Sequence, residues 1–426
     1  MAEFPQMFRV RQTFPRPRVA DIPGTVAAEM ARLNLAERIK PGQSVAVTAG
    51  SRGIAHIKEI IRAVVEALRG AGAEPFIVPA MGSHGGGTAE GQRGIVEGYG
   101  MTEEYLGCPI KASMETVIIT ETAEGIPVHF DRHAYEADHV FVVGRVKPHT
   151  DFAGDIESGL MKMMLIGLGK HAGAKIYHRA IMDYSFGQIV RSVASVVLTK
   201  CKVVGGLGIV ENGYDETALL RAVAPEEFED REKELLVQAK EWMPSLPFPR
   251  ADVLIIEEIG KNISGAGMDT NVIGRKFNDR EAIDNEFPKI RRIVVRGLTP
   301  ETKGNAAGIG IAEFCHRRVI DQMNYEITKI NCVTGGHPSG AMHPTHYDTD
   351  REILENALST IGLVAPPDAR VMRIRNTLQL AELECSVAYL DEARAHERLE
   401  ILSDPYDMPL GADGNLEPFE FDAVGV

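Results

Sequence analysis

Apolar and polar positions along the first half of the chain repeat with two periods, that of a strand and that of a helix face. Residues 44–48 (SVAVT) form a short β-prone run that stops at Ala49-Gly50-Ser51-Arg52-Gly53. Behind it Ile57, Ile60, Ile61, Val64, Val65 and Leu68 recur at three- and four-residue spacing, which predicts a helix. Gly70 and Gly72 end that helix, and 75–80 (PFIVPA) reads as the next strand. Gly82-Ser83-His84-Gly85-Gly86-Gly87 then leads into a helix expected from about Thr88. A β-rich stretch follows at 116–122 and 127–130, a buried strand at 138–146, and helices at 186–198 and 225–242.

Strand, helix, strand with short glycine-bearing turns implies an α/β fold. It predicts a parallel, Rossmann-like sheet in an N-terminal domain. The run 244–249 (PSLPFP) reads as a linker, and a fresh strand at 252–257 (DVLIIE) opens a second, smaller α/β domain. The expected division is 1–245 and 250–390, with 393–426 returning to the first domain. Further strands are expected near 293–295, 329–333 and 371–374. An active site is expected in the interdomain cleft, where loops at the carboxyl ends of strands collect.

A net charge of −14 leaves no basic face to displace counterions from phosphates, which excludes a nucleic-acid binder. Five scattered cysteines (Cys108, Cys201, Cys315, Cys332, Cys385) form no C-x-x-C pair, so neither a disulfide framework nor a zinc site is expected. The first residues carry no apolar signal core, and no apolar run is long enough to span a membrane. The expected setting is cytoplasmic, and pairing with further copies is open.

Three loops after predicted strands each present a polar side chain among glycines. The first offers Ser51 and Arg52, whose guanidinium could grip a carboxylate or phosphate, or form a surface ion pair. The second offers Ser83 and His84, an imidazole suited to carrying protons or merely solvated. The third, Arg145-Val146-Lys147-Pro148-His149, runs on through Asp155, Glu157, Ser158 and Gly159 to Lys162, which lies in an apolar sequence. A lysine there either snorkels to the surface or loses its proton and becomes a nucleophile. His171 and His178 follow.

These residues together resemble the nickel-dependent lactate racemase family, whose members use a nickel-pincer nucleotide. The resemblance spans about 43–179. It rests on the Ser-Arg loop, Gly82-Ser83-His84, Pro148-His149 through Gly154, and the sixteen-residue interval from Lys162 to His178. The resemblance implies that Lys162 tethers the cofactor (pyridinium-3-thioamide-5-thiocarboxylic acid mononucleotide with nickel), with Ser158 and Gly159 beside it. It implies that His178 completes the nickel coordination, that His84 and His149 alternate as acid and base, and that Arg52 holds the substrate carboxylate. The implied reaction is inversion at C2 of a 2-hydroxy acid by hydride transfer, as a racemase or epimerase, and the implied partners are the cofactor's biosynthetic enzymes. Where lactate racemases carry an acidic residue this chain has Ala49, and its loop from His149 to Lys162 is longer, with Asp155 and Glu157. Both departures imply a substrate larger than lactate.

In the second domain Lys261 is the candidate for a second cation on the carboxylate, and Asn271 and Arg275 for lining the cleft. Two other readings compete. His337, His343 and His346, with Asp348 and Asp350 near, would make a zinc- or iron-dependent hydrolase or lyase. Alternatively, the fold serves as a non-catalytic protein that binds a hydroxy acid or nucleotide.

Overall fold

The computed structural model describes residues 4–51, 53–150, 152–181, 183–276 and 286–418. Two compact units emerge. One comprises Pro15–His149 and Ala153–Met243; the other takes the N-terminal strand, a short piece around Thr150, and the chain from Pro244 onward.

In the first unit Ser44–Ala49 pairs in parallel with Glu74–Pro79 on one side and His139–Arg145 on the other. His139–Arg145 pairs in parallel with Val203–Glu211, and Thr217–Val223 closes the sheet antiparallel. Strands with helices on both faces must be apolar throughout, which is why 44–48 and 139–144 read as continuous runs and not as alternations. The helix Ile57–Gly70 buries Ile57, Ile60, Ile61, Val64, Val65 and Leu68, the periodic set. On it converge Val45, Val47, Phe141, Val143, Leu207 and Ile209 from the sheet. The helix Phe228–Trp242 packs Leu235, Leu236 and Ala239 against Val146 and Val210. The β-rich stretch at 116–131 forms a separate antiparallel pair, Thr116–Glu121 with Pro127–Asp131.

The second unit is built on a sheet of eight strands among the described residues. Arg250–Ile256 lies between Lys289–Val295 and Val371–Ile374, all parallel. Glu382–Ser386, Met7–Gln12 and Leu399–Ile401 extend it antiparallel.

Two expectations are corrected here. The C-terminal segment does not return to the first unit: Leu399–Ile401 pairs with the strand Met7–Gln12, and Tyr406 exchanges backbone bonds with Met7. Met408 and Leu416 are buried in the second core, so the tail finds its apolar partners there. Residues 329–333, read as a strand from their β-branched content, lie in the helix Tyr325–Thr334. Asn324 caps that helix by accepting from the Ile327 N–H at 3.1 Å. The five cysteines are free and buried, and among the described residues no helix is long and apolar enough to cross a membrane.

Candidate active site

The parallel pairing sets Ala49 beside Pro79 and brings the strand that ends at Arg145 to the same end of the first sheet, so the loops that follow share one rim. Arg52 lies outside the described residues. Its loop is held on both flanks: Tyr99 Oη donates to Ser51 O at 2.9 Å, and Glu211 Oε1 accepts from Ala55 N at 2.7 Å. Arg145 pairs with Glu211 and donates to Gly53 O at 3.2 Å, completing the frame.

His84 is exposed in the second loop, and its Nδ1 meets Ser51 Oγ of the first, which joins the two. Gly82, Gly85, Gly86 and Gly87 all have positive φ, a conformation that side chains with a Cβ resist. Space compounds the requirement, since a methyl on Gly85 would lie 2.6 Å from Gln92 N. Gln92, fully buried in the helix Ala89–Gly98, donates to Gly82 O at 2.8 Å and His84 O at 3.3 Å.

The third loop carries His149, half-buried, its ring stacked on Phe186 at 6.2 Å. Glu157 closes this loop from within: its carboxylate accepts from His149 N at 2.8 Å and Gly154 N at 3.1 Å, and pairs with Lys240 at 2.6 Å. Asp155 pairs with Arg191 at 2.7 Å. The two acidic residues are therefore engaged in holding the longer loop. Asp151 lies outside the described residues. Ser158 Oγ accepts from Lys147 N at 2.7 Å and donates back to Lys147 O.

Lys162 ends the short helix Leu160–Lys162 and is half-buried. A π-turn, Met163–Gly167, follows, and the helix Leu168–Ala180 carries His178, exposed, in its last turn. An unbroken helix would separate residues sixteen apart by roughly 24 Å, too far for one cofactor ring to join. The helix is broken: Lys170, midway, has φ 54° and ψ −162°. A methyl on Gly82 would lie 3.0 Å from Ile166 and 3.5 Å from Ala174, four residues to either side of Lys170. A straight helix would hold those two about 12 Å apart, so the chain is bent between them.

Both neighbouring loops touch this bent element. A methyl on Gly144 would come within 2.8 Å of Met163, and one on Gly87 within 3.7 Å of the His171 ring. The helix start is held by Glu232, 1% exposed, whose Oε2 accepts from Met161 N at 3.0 Å. Burial pushes the Glu232 carboxyl up to about 8, against the pull of the Met161 and Leu160 N–H groups. Its Oε1 is buried with no hydrogen-bond partner among the described residues. At the bend, burial lowers the Lys170 pKa and Asp131 opposes that.

In the second unit Lys261 donates from Nζ to Gly265 O and from its backbone to Thr302 Oγ1 at 3.0 Å. Asn271 bonds Asp269 at 2.9 Å. Arg275 is buried and does not line a cleft: it donates to Ile311 O, Ile290 O and Arg291 O and pairs with Glu313 at 2.7 Å. The histidine-rich loop does not gather a metal site. His343 meets Tyr325 edge-on at 5.4 Å, His346 Nδ1 lies 3.2 Å from Pro344 O, and among the described residues no cluster of three or more His, Cys, Asp or Glu could hold an ion.

The sequence singles out Glu157 as an acidic residue of the longer loop, but not its role in closing that loop, nor the bend at Lys170, Gln92 or Glu232.

Residues 17–187 match the family model of the lactate racemase N-terminal domain. No curated protein matches the chain. Among solved structures, the lactate racemase apoprotein of Thermoanaerobacterium thermosaccharolyticum aligns with a TM-score of 0.54 at 12% identity, over 88% of this chain and 99% of that one. A Thermotoga maritima protein aligns with a TM-score of 0.46 at 14% identity, over 67% and 72%.

Proposed function

We propose, from the premise that its N-terminal domain makes this chain a member of the lactate racemase family, that it is an isomerase inverting C2 of a 2-hydroxy acid. The observation that supports the reading is the bend at Lys170, which interrupts the chain between Lys162 and His178 beside the His84 loop. These residues fit a nickel-pincer nucleotide: a lysine able to form the tether, and an imidazole of the kind square-planar nickel accepts. When bound, that group supplies the acceptor and donor of the C2 hydride.

The remaining work falls to side chains of the chain. His84 or His149 takes the hydroxyl proton of one enantiomer, and the other returns a proton after the flat 2-keto acid has turned over. Two bases are needed because mirror-image substrates that present C2–H to one fixed point aim their hydroxyls to opposite sides. Arg52 would bind the carboxylate through paired N–H groups. Ala49, buried at the strand end where lactate racemases are acidic, and the longer loop from His149 to Lys162 favour a substrate larger than lactate.

The test uses protein made together with the cofactor's biosynthetic enzymes. Intact mass is expected to show an adduct on the wild type that Lys162→Ala lacks. A panel of 2-hydroxy acids deuterated at C2 is expected to invert with the label retained. His84→Ala and His149→Ala are each expected to lower interconversion by about 10²–10⁴-fold. Inversion by Lys162→Ala, or loss of the C2 label to solvent, would refute the reading.

A further inference from the structure

Lys170 takes no part in the proposed reaction, yet its placement is costly in two ways. Its side chain is 0% exposed, and its backbone occupies a region that only glycine enters freely. A buried charge on a strained backbone persists only where the surroundings demand it. Three elements meet its ammonium. Asp131, also 0% exposed and ending the strand Pro127–Asp131, lies 2.9 Å away. Pro79 O, at the end of the strand Glu74–Pro79, accepts a bond, and Gln92 Oε1 accepts another at 3.4 Å. The Asp131 carboxylate and the Lys170 ammonium form a buried charge pair.

The amide nitrogen of the same Gln92 holds Gly82 O and His84 O. An unbroken chain of polar contacts therefore runs from Asp131 through Lys170 and Gln92 to the backbone of His84. It passes through the bend at Lys170, which lies between Lys162 and His178 in the chain.

We propose that Lys170 is a positioning residue that, through Gln92, sets the backbone beneath His84 and ties it to the bend between Lys162 and His178. The idea rests on the proposed function only in treating His84 as a proton carrier; the linkage itself is independent of turnover. Three consecutive contacts, Asp131 to Lys170, Lys170 to Gln92 and Gln92 to His84 O, lead to one loop through the protein interior, where an unmatched amide or ammonium would be costly. Loosening that loop alters how the His84 ring meets Ser51 Oγ.

The experiment follows histidine side chains by NMR across pH in the full-length chain without cofactor, with His84 assigned by its loss in His84→Asn. Gln92→Leu cuts the link without touching the charge pair. Lys170→Met with Asp131→Asn removes both charges together, so that neither is stranded. In each, the His84 titration midpoint is expected to move by about half a unit or more, a roughly threefold change in its protonation equilibrium. His396, in the other unit, is expected to keep its midpoint. An unmoved His84 in both folded variants would overturn the linkage. A shifted His84 in a chain that racemises nothing would support the linkage while the proposed function fell, so the two failures are distinguishable.

Discussion

Replacing Glu232 by glutamine removes a proton-binding group buried under the start of the Lys162 helix while keeping its shape. In the folded chain the carboxyl is pushed up to about 8 from an ordinary 4.5, with burial outweighing the two N–H groups that favour its anion. Below pH 4.5 the acid is neutral both folded and unfolded, and burying it costs nothing extra. Between 4.5 and 8 the unfolded chain releases the proton and the folded chain keeps it, so stability falls as pH rises. Each pH unit in that window costs about 1.4 kcal/mol, which reaches about 3 kcal/mol at pH 7. Glutamine escapes this cost, although its weaker acceptance from Met161 N gives back about 1 kcal/mol. The net gain of about 2 kcal/mol corresponds to a rise in Tm of about 4–8 °C for a unit of this size. Thermal melts of both proteins from pH 4.5 to 8 measure it. Their difference should be near zero or slightly negative at the acid end and grow steadily with pH. A difference that stayed flat, or that came to favour the wild type at high pH, would refute the argument. It would mean that the helix-end N–H groups keep Glu232 ionised despite its burial.

Two further outcomes test the geometry around the site. Gly144→Ala drives a methyl to 2.8 Å from Met163 and 3.2 Å from the Gly159 backbone. It is expected to cost about 1–3 kcal/mol in thermal melts and to lower the adduct fraction at Lys162. Lys240→Met leaves the Glu157 carboxylate buried with its two backbone donors alone. Hydrogen exchange at His149 and Gly154 should accelerate and stability fall by about 1–3 kcal/mol, and adding Glu157→Gln should recover much of the loss.

Period and punctuation made the first unit's sheet legible. Residues 44–48 and 75–80 are bounded by glycine or proline, and the helix between them shows its buried face as a spacing of three and four. The glycine loop at 82–87 was also readable, because consecutive glycines before a helix have few other uses. Residues 329–333 misled for a physical reason: their β-branched side chains favour strands locally, but the Asn324 cap and the chain's path past it favour a helix. The tail's destination was equally hidden. Leu399 and Ile401 say that a partner is needed, and not that it is Val10 and its neighbours, almost four hundred residues earlier.

The sequence by itself determined the residue types of the candidate site, the glycines that bare them, and the strands whose ends carry them, since these follow from local pattern and composition. Tertiary structure decided how they meet. A spacing of sixteen on an unbroken helix implies distance, and only the tertiary structure shows that the chain bends between Lys162 and His178, at Lys170. At that bend the Lys170 ammonium meets Asp131, Pro79 and Gln92, which are dispersed along the chain and gather only when the sheet has formed and water has been excluded.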